Sequence, residues 1–313
     1  MIDILMATYN GEKYIAEQIE SIIKQSYTKW HLYIQDDCST DATVSIALSY
    51  KEKYPEKITV IENTQNSGSA KNNFFSMLDL AKSDYIMFSD QDDVWLPDKI
   101  KIIHRRMLCA ERKTGKGYPV LVHTDVSLVD ENLNVIAESP FKKEKWHFNK
   151  KITFWNSLIG NVVMGCTTEI NKALLDKVKY NNLDNIPMHD WWFGMCARYF
   201  GTEEVVKIPT MLYRQHNANN VGVDEKSKFK QLLQVFFDKN AKLEEKKRMQ
   251  SITNVCTEFC RVYKREMNSI DRIRLKRFLN CINSSLIVFL VSMVRERISG
   301  SYMRIVIQYA IWR

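Results

Sequence analysis

The sequence predicts an α/β fold, a mixed but mostly parallel sheet flanked by helices, followed by a basic helical region. Two observations carry this prediction. Short apolar runs alternate with segments of helical periodicity through the first half of the chain, which is typical of parallel strands joined by helices. After about residue 226 the chain is rich in Lys and Arg, lacks proline and keeps a helical pattern.

The first unit of this alternation is the clearest. Ile2–Thr8 is a short apolar run before the turn-like pair Asn10-Gly11, which predicts a buried strand. Isoleucines at 15, 19, 22 and 23 then recur at helical spacing. The same patterns predict strands at 30–35, 58–62 and 85–89, a helix capped by Ser39 and Asp41 that runs to about Tyr54, and helices at 69–81 and from Pro97.

The pattern loosens after residue 119. We predict strands at 120–129, 162–167 and 205–208 and a helix at 190–200. The change in composition places a domain boundary near residue 224.

The net charge of +8 is unevenly distributed. Residues 224–313 hold 19 Lys and Arg against 9 Asp and Glu, a net of +10, so the rest of the chain carries −2. Such a basic region predicts contact with an anionic surface, either a membrane or a nucleic acid, or simply a solvated helical face. Its apolar run at 286–294 is shorter than the about 20 residues that a membrane span needs.

The seven cysteines form no CxxC pair and no zinc-binding spacing. The first residues, MIDILMATYN, do not resemble a secretory leader, because Asp3 and Asn10 interrupt any apolar core. We therefore expect reduced thiols in a cytoplasmic protein.

Polar clusters follow four of the predicted strands. In parallel sheets, ligands bind beyond the carboxyl ends of the strands, so these clusters are expected to converge on one crevice. They are residues 9–10, 36–37, 66–68 and 90–93.

Four of these residues have side chains suited to a nucleotide and a cation. Asp90 and Asp92 are separated by one residue, and such a carboxylate pair can hold Mg²⁺ together with substrate phosphates. A DxD also occurs in ordinary capped, solvated loops, but its position after a strand favours binding. Asp37 could accept a hydrogen bond from a base or a ribose, or it could cap the next helix. Tyr9 could stack on a base or pack in the core.

Four segments, taken in order, carry a family resemblance: ILMATYNGEKYIAEQIESIIKQSY, IQDDCSTDAT, NSGSAKNN and YIMFSDQDDVWLPDKI. Together they resemble the nucleotide-sugar half of family 2 glycosyltransferases, which have the Rossmann-like GT-A fold. DQDDVW and the later YRQHNANNVG resemble the bacterial rhamnosyltransferase-like branch. The match spans about residues 1–220.

The resemblance implies a catalytic domain at 1–223, with a nucleotide-sugar half at about 1–115 and an acceptor half at 116–223. The basic helical region at 224–313 is set apart by its composition and lies outside the resemblance. The resemblance also implies that Asp90 and Asp92 bind Mg²⁺ or Mn²⁺ and that Asp190 is the catalytic base. The other predicted nucleotide-sugar-binding residues are Ala7, Thr8, Tyr9, Asn10, Asp37, Lys71, Gln91, Gly165, Cys166, Arg214 and His216.

The implied reaction is inverting transfer of one sugar from dTDP-rhamnose or a UDP-sugar to a glycan acceptor, expected to be lipid-linked, in surface polysaccharide synthesis. The chain lacks the QxxRW motif of processive members, which favours one transfer per event. Asp190 could instead only cap its helix, and His216 could be a solvated loop residue.

Two other function classes remain open from the sequence. A nucleotidyltransferase would need a glycine-rich loop after the first strand, and TYNGEKY is poor in glycine. If the protein were a non-catalytic scaffold, its function would not require the carboxylates at 90, 92 and 190. Nucleic acid is disfavoured as a partner, because few aromatics accompany the basic run at 239–248. The tail could contact the inner face of the cell membrane, form a homodimer or pack on the catalytic domain.

Overall fold

The computed structural model describes residues 1–139, 152–216 and 239–282. Their strands are β1 (Ile2–Thr8), β2 (Trp30–Asp36), β3 (Ile58–Glu62), β4 (Tyr85–Ser89), β5 (Val94–Trp95), β6 (Val120–Val129), β7 (Val135–Ala137), β8 (Thr168–Asn171) and β9 (Thr202–Arg214). Their helices are α1 (Ile15–Ile23), α2 (Thr43–Lys53), α3 (Ala70–Met77), α4 (Lys99–Thr114), α5 (Phe154–Ser157), α6 (Lys172–Leu175), α7 (His189–Phe200), α8 (Lys239–Val262) and α9 (Ser269–Ile282).

The described residues fall into two compact units. The first contains residues 1–139, 163–178 and 196–216, and the second contains 152–162, 179–195 and 239–282. The strands belong to the first unit, where they form one mixed sheet in the order β3-β2-β1-β4-β8-β6-β9-β5, with β7 paired to β6. The predicted α/β class is confirmed.

The parallel half of the sheet explains why the polar clusters meet. β1 lies between β2 and β4 and is parallel to both, and all of its residues are buried. In this register Thr8 pairs with Asp36, so the carboxyl ends of β1 and β2 coincide. Parallel strands present these ends on one edge, which places the loops after β1, β2, β3 and β4 together.

The second half of the sheet is partly antiparallel. β8 runs antiparallel to β4 and β6, while β9 is parallel to β6. The two-residue β5 pairs antiparallel with β9 through Val94 and Leu212. The acidic turn 90–93 is therefore held between strands at both of its ends.

Three sequence predictions need correction. The strand predicted at 162–167 is wrong, because the Thr167 N–H and the Thr168 hydroxyl both donate to the Met164 carbonyl, which closes a 3-10 turn before β8. Ser39 does not cap α2; its hydroxyl donates to Asp36 instead, at 2.6 Å. The short strand predicted at 205–208 is part of the longer β9. The boundary predicted near residue 224 and the apolar run 286–294 lie outside the described residues.

The second unit packs α8 and α9 with α5 and the first part of α7. Its core is aromatic: the Phe259 ring centroid lies 5.6 Å from that of Trp192 and 4.7 Å from that of Tyr263. The buried Glu258 carboxylate accepts from the Asn181 and Asn182 N–H groups, each at 2.9 Å. No helix in the described part of the chain has the length and apolar character needed to cross a bilayer.

Candidate active site

The loop after β1 is held by the side chain of Gln91. The Gln91 amide accepts from the Tyr9 N–H at 2.9 Å and donates to the Tyr9 carbonyl at 3.0 Å. A Cβ at Gly11 would lie 2.2 Å from the Gln91 Oε1, so a larger residue here would displace this amide from Tyr9. Tyr9 is thereby fixed by its backbone while half of its surface remains exposed (50%).

Two adjacent carboxylates at the end of β2 accept hydrogen bonds from different parts of the chain. Asp36 accepts from the Thr8 hydroxyl at 2.9 Å and from the Ser39 N–H at 2.7 Å, which joins the β1 and β2 loops. Asp37 accepts from the N–H and the hydroxyl of Ser67, at 2.7 and 2.8 Å. The predicted convergence of the polar clusters is thus confirmed, since hydrogen bonds link all four loops.

Asn10 also links the loop after β1 to the loop after β2. Its backbone has a φ of 47°, a left-handed conformation that asparagine tolerates better than most residues. The Asn10 N–H donates to the Ser39 hydroxyl, and the Asn10 side-chain carbonyl accepts from the Thr40 N–H, both at 2.8 Å. Ala7 and Thr8, the last residues of β1, are buried beneath this loop.

A candidate cation site lies after β4. Oxygens of Asp90 and Asp93 and the Cys166 sulfur all lie within 4.8 Å of one another. Asp93 is 1% exposed; its Oδ1 accepts from the Arg214 N–H at 3.1 Å, and its Oδ2 has no hydrogen-bond partner among the described residues. Burial, reinforced by the charges of Asp92 and Asp90, holds the pKa of Asp93 well above its ordinary value.

These residues fit a hard divalent cation. A buried carboxylate with an unbonded oxygen beside a second carboxylate is costly by itself, and a cation between them would offset that cost. Mg²⁺ and Mn²⁺ take oxygen ligands, which Asp90 and Asp93 supply. Burial raises the pKa of the Cys166 thiol well above its usual range in the metal-free protein. Its soft sulfur is also a poor match for Mg²⁺ or Mn²⁺, which prefer oxygen ligands.

Asp92, the second carboxylate of the DxD, is not in that group of described residues. Its Oδ2 lies 2.9 Å from the His216 Nε2, and its backbone carbonyl accepts from the Arg214 Nε at 2.9 Å. The acidic turn is thus joined to the end of β9 by contacts from Arg214 and His216.

Tyr14 contacts both of these side chains and was not singled out from the sequence. Its ring stacks on His216 with a centroid separation of 5.2 Å, and the Arg214 Cζ lies 4.5 Å from the same centroid. The buried Arg214 guanidinium also donates to the Glu17 carboxylate. The N–H groups of Arg214 are thus directed at protein groups. The predicted role of Arg214 in nucleotide-sugar binding stays a prediction.

Lys99 is a second residue that the sequence analysis missed. It opens α4 yet is only 1% exposed, and its Nζ donates to the Cys166 carbonyl at 2.8 Å. The Nζ also lies 4.7 Å from the centre of the Trp95 ring. Burial lowers the pKa of Lys99 to about 8. A cation in the first turn of a helix opposes the helix dipole, and that placement was an available signal.

The remaining predicted residues of the first unit occupy two short elements. Lys71 is half-buried in the first turn of α3, whose cap is the Ser69 hydroxyl. Gly165 and Cys166 are buried in the 3-10 turn that precedes β8. The Lys99 ammonium therefore fixes the backbone of the turn predicted to face the donor sugar.

Asp190 belongs to the second unit, in the first turn of α7. It is 8% exposed, and its Oδ1 accepts from the Asn161 side-chain amide at 2.9 Å and from the Trp191 N–H at 2.6 Å. Both donors bond to one oxygen, which fixes the orientation of the carboxylate. Its role as base remains a prediction.

Comparisons with known proteins agree with this architecture. The model of the family described as glycosyl transferase family 2 matches residues 3–112. The chain is 34% identical over 241 residues to the dTDP-rhamnosyl transferase RfbG of Shigella flexneri, covering 72% of this chain and 78% of that protein. It is 27% identical to the UDP-Glc:alpha-D-GlcNAc-diphosphoundecaprenol beta-1,3-glucosyltransferase WfgD of Escherichia coli, covering 58% of this chain and 64% of that protein.

Solved structures show the same fold. Residues 1–349 of S. aureus TarS, in complex with UDP-GlcNAc, superpose with a TM-score of 0.59 at 16% identity, covering 99% of this chain and 89% of that one. The predicted GT-A architecture is thereby confirmed, as is the family suggested by the sequence motifs. The chain belongs to glycosyl transferase family 2 and is a glycosyltransferase with the GT-A fold.

Proposed function

We propose that this glycosyltransferase moves one sugar from dTDP-rhamnose or a UDP-sugar to a glycan acceptor carried on a lipid, with inversion at the anomeric carbon. The observation that carries the proposal is the carboxylate pair after β4. The Oδ2 of the buried Asp93 lies beside Asp90 and has no hydrogen-bond partner in the part of the chain that the structure describes. The names of the rhamnosyl relative and of the UDP-GlcNAc complex support the donor. The name of the WfgD relative, a transferase that acts on a diphosphoundecaprenol acceptor, supports the lipid-linked acceptor. An enzyme that uses such an acceptor would work at the inner face of the cell membrane.

The donor side of the reaction rests on the first unit. Asp90 and Asp93 would hold Mg²⁺ or Mn²⁺, with Asp92 a further predicted ligand, and the cation would offset the charge gathered on the departing nucleoside diphosphate. Tyr9 presents an exposed ring where a base could stack, and Asp37 lies on the adjoining loop. Lys71 supplies a cation from the start of α3.

The acceptor side rests on Asp190. The acceptor oxygen attacks the anomeric carbon, the bond from that carbon to the diphosphate oxygen breaks, and the acceptor proton passes to the Asp190 carboxylate. Such a single displacement inverts the anomeric configuration.

Donor turnover tests the proposal. The protein is incubated with a panel of dTDP- and UDP-sugars with Mg²⁺, Mn²⁺ or a chelator, beside Asp93→Asn and the control Asp79→Asn, which removes an exposed charge from the same unit. We expect cation-dependent release of nucleoside diphosphate from one donor, lost in Asp93→Asn and kept in Asp79→Asn. Turnover that persists in chelator, or that is equal in both variants, would contradict the proposed cation site.

A further inference from the structure

One face of α9 is exposed and carries both apolar and basic side chains. Leu275, Phe278 and Ile282 recur at helical spacing on the buried face, which completes the core of the second unit. On the other side Ile270 is 70% exposed and Ile273 is 49% exposed. No residue within 1–139, 152–216 or 239–282 buries these two isoleucines, so their surface is open to a partner.

Basic side chains flank the two isoleucines. On the exposed side of α9 they are joined by Lys276 and Arg277, and Arg277 falls on the same helical stripe, four residues after Ile273. The turn before α9 adds the exposed Lys264 and Arg265. We call these six residues the α9 face.

Few negative charges oppose this face. Residues 261–282 contain seven Lys and Arg and two Asp and Glu, a net of +5. Both acidic residues are engaged: Glu266 accepts from Lys179 at 2.8 Å, and Asp271 lies 3.6 Å from Arg274. Within the described ranges, no ion pair involves the four cations of the α9 face.

We propose that the α9 face docks on a membrane surface rich in anionic phospholipid, with Ile270 and Ile273 entering the boundary between headgroups and acyl chains. Exposed cations are attracted to anionic headgroups, and apolar side chains among them gain by leaving water. The proposal deepens the proposed function, since it names the described surface that would bring the enzyme to a lipid-linked acceptor.

The combination of side chains favours this partner over two others. A nucleic acid would attract the cations through its phosphates but would leave the two isoleucines without a partner. Proteins that bind nucleic acid without sequence preference contact phosphates and stack aromatic rings on bases. A second copy of the same face would bring equal positive charges together, which is repulsive. An anionic membrane satisfies both the charge and the apolar surface.

The test is flotation of the full chain with vesicles, in the absence of any sugar donor. Neutral phosphatidylcholine vesicles are compared with vesicles that also contain phosphatidylglycerol, at low and high salt. We expect binding only to the anionic vesicles, weakened by salt. The double substitution Lys276→Gln/Arg277→Gln should weaken binding about 30-fold, and Ile270→Ser/Ile273→Ser about tenfold.

Matched controls lie in the first unit. Lys51→Gln/Lys53→Gln removes two exposed cations from α2, and Val135→Ser/Ile136→Ser removes two exposed apolar side chains from β7. Both should bind vesicles like the parent, and circular dichroism confirms that every variant is folded. The proposal would be overturned if all variants bound the vesicles equally or if the parent did not bind anionic vesicles. It would also be overturned if the α9 variants alone lost binding to single-stranded DNA or to a second copy of the chain. Since no donor is present, these outcomes are independent of transferase activity.

Discussion

The Lys99 ammonium lies 2.8 Å from the backbone carbonyl of Cys166, which ties the start of α4 to the 3-10 turn before β8. The same ammonium is close enough to Asp93 to lower the pKa of that carboxyl, against the larger effect of burial. One buried cation therefore both positions the turn and faces the candidate cation site. A buried charge in this position is costly unless its partners are kept.

Substitution of Lys99 by methionine should destabilise the fold. The side chain keeps its length, but the Cys166 carbonyl loses its donor and Asp93 loses a nearby cation, so we expect a loss of about 1–3 kcal/mol in the free energy of unfolding. Chemical denaturation measures this loss. Lys101→Met, on the same helix at an exposed position, is the control and should change stability little. Equal stability of Lys99→Met and the parent would show that the contact has no net value.

Substitution of Tyr9 by alanine should weaken donor binding without weakening the fold. The ring is 50% exposed, so little core packing is lost, whereas stacking of a base on an aromatic ring contributes about 1–3 kcal/mol. Calorimetric titration with the nucleoside diphosphate should show a rise in Kd of about 5- to 150-fold, the equivalent of about 1–3 kcal/mol. Tyr9→Phe keeps the ring and should bind like the parent. A similar loss in both variants would point to the hydroxyl and not to stacking.

Substitution of Asp190 by asparagine should abolish transfer but preserve donor binding. Asparagine can still accept from the Trp191 N–H, as Asp190 does at 2.6 Å, so the start of α7 is expected to remain intact. Loss of a general base lowers turnover by about 10²–10⁴-fold. Transfer is measured with a radiolabelled donor and binding by calorimetry. Asn161→Ala removes the donor that orients the carboxylate and should give an intermediate loss; a normal rate in Asp190→Asn would exclude it as base.

The sequence predicted the parallel half of the sheet well, because β1 and β4 are short, largely apolar runs bounded by polar turns. It did not predict β5 or β7, since two or three residues are too few for a periodic pattern. The spacing of the DxD drew attention to Asp90 and Asp92, whereas Asp93 is the buried carboxylate of the turn. Burial of one among three adjacent carboxylates depends on the pairing of β5 with β9, which local spacing does not encode.

Acid should destabilise the protein through His189. Burial lowers the pKa of His189 from 6.5 to about 3, so the unfolded chain binds a proton between these values that the folded chain does not. Stability is therefore full above about pH 6.5 and falls as the pH drops toward 3, by at most about 1.4 kcal/mol per pH unit. Denaturation of the parent and of His189→Gln at pH 7 and pH 5 measures the effect. The variant should lose less stability between these values; parallel losses would contradict the assignment.

The candidate cation site predicts that Asp93→Asn has opposite effects on thermal stability with and without metal. An acid with a raised folded-state pKa binds its proton more tightly when folded, so it destabilises the metal-free protein once the pH exceeds the ordinary value of 3.8. In chelator, Asp93→Asn should therefore melt at a higher temperature than the parent at pH 7, because the amide removes the buried charge and can still accept from the Arg214 N–H. Mn²⁺ should raise the Tm of the parent and of Asp79→Asn, because it binds the folded state, but not that of Asp93→Asn. Equal stabilisation of all three proteins by Mn²⁺ would place the ion elsewhere, and a lower Tm of Asp93→Asn in chelator would mean that the carboxylate is already compensated by protein groups.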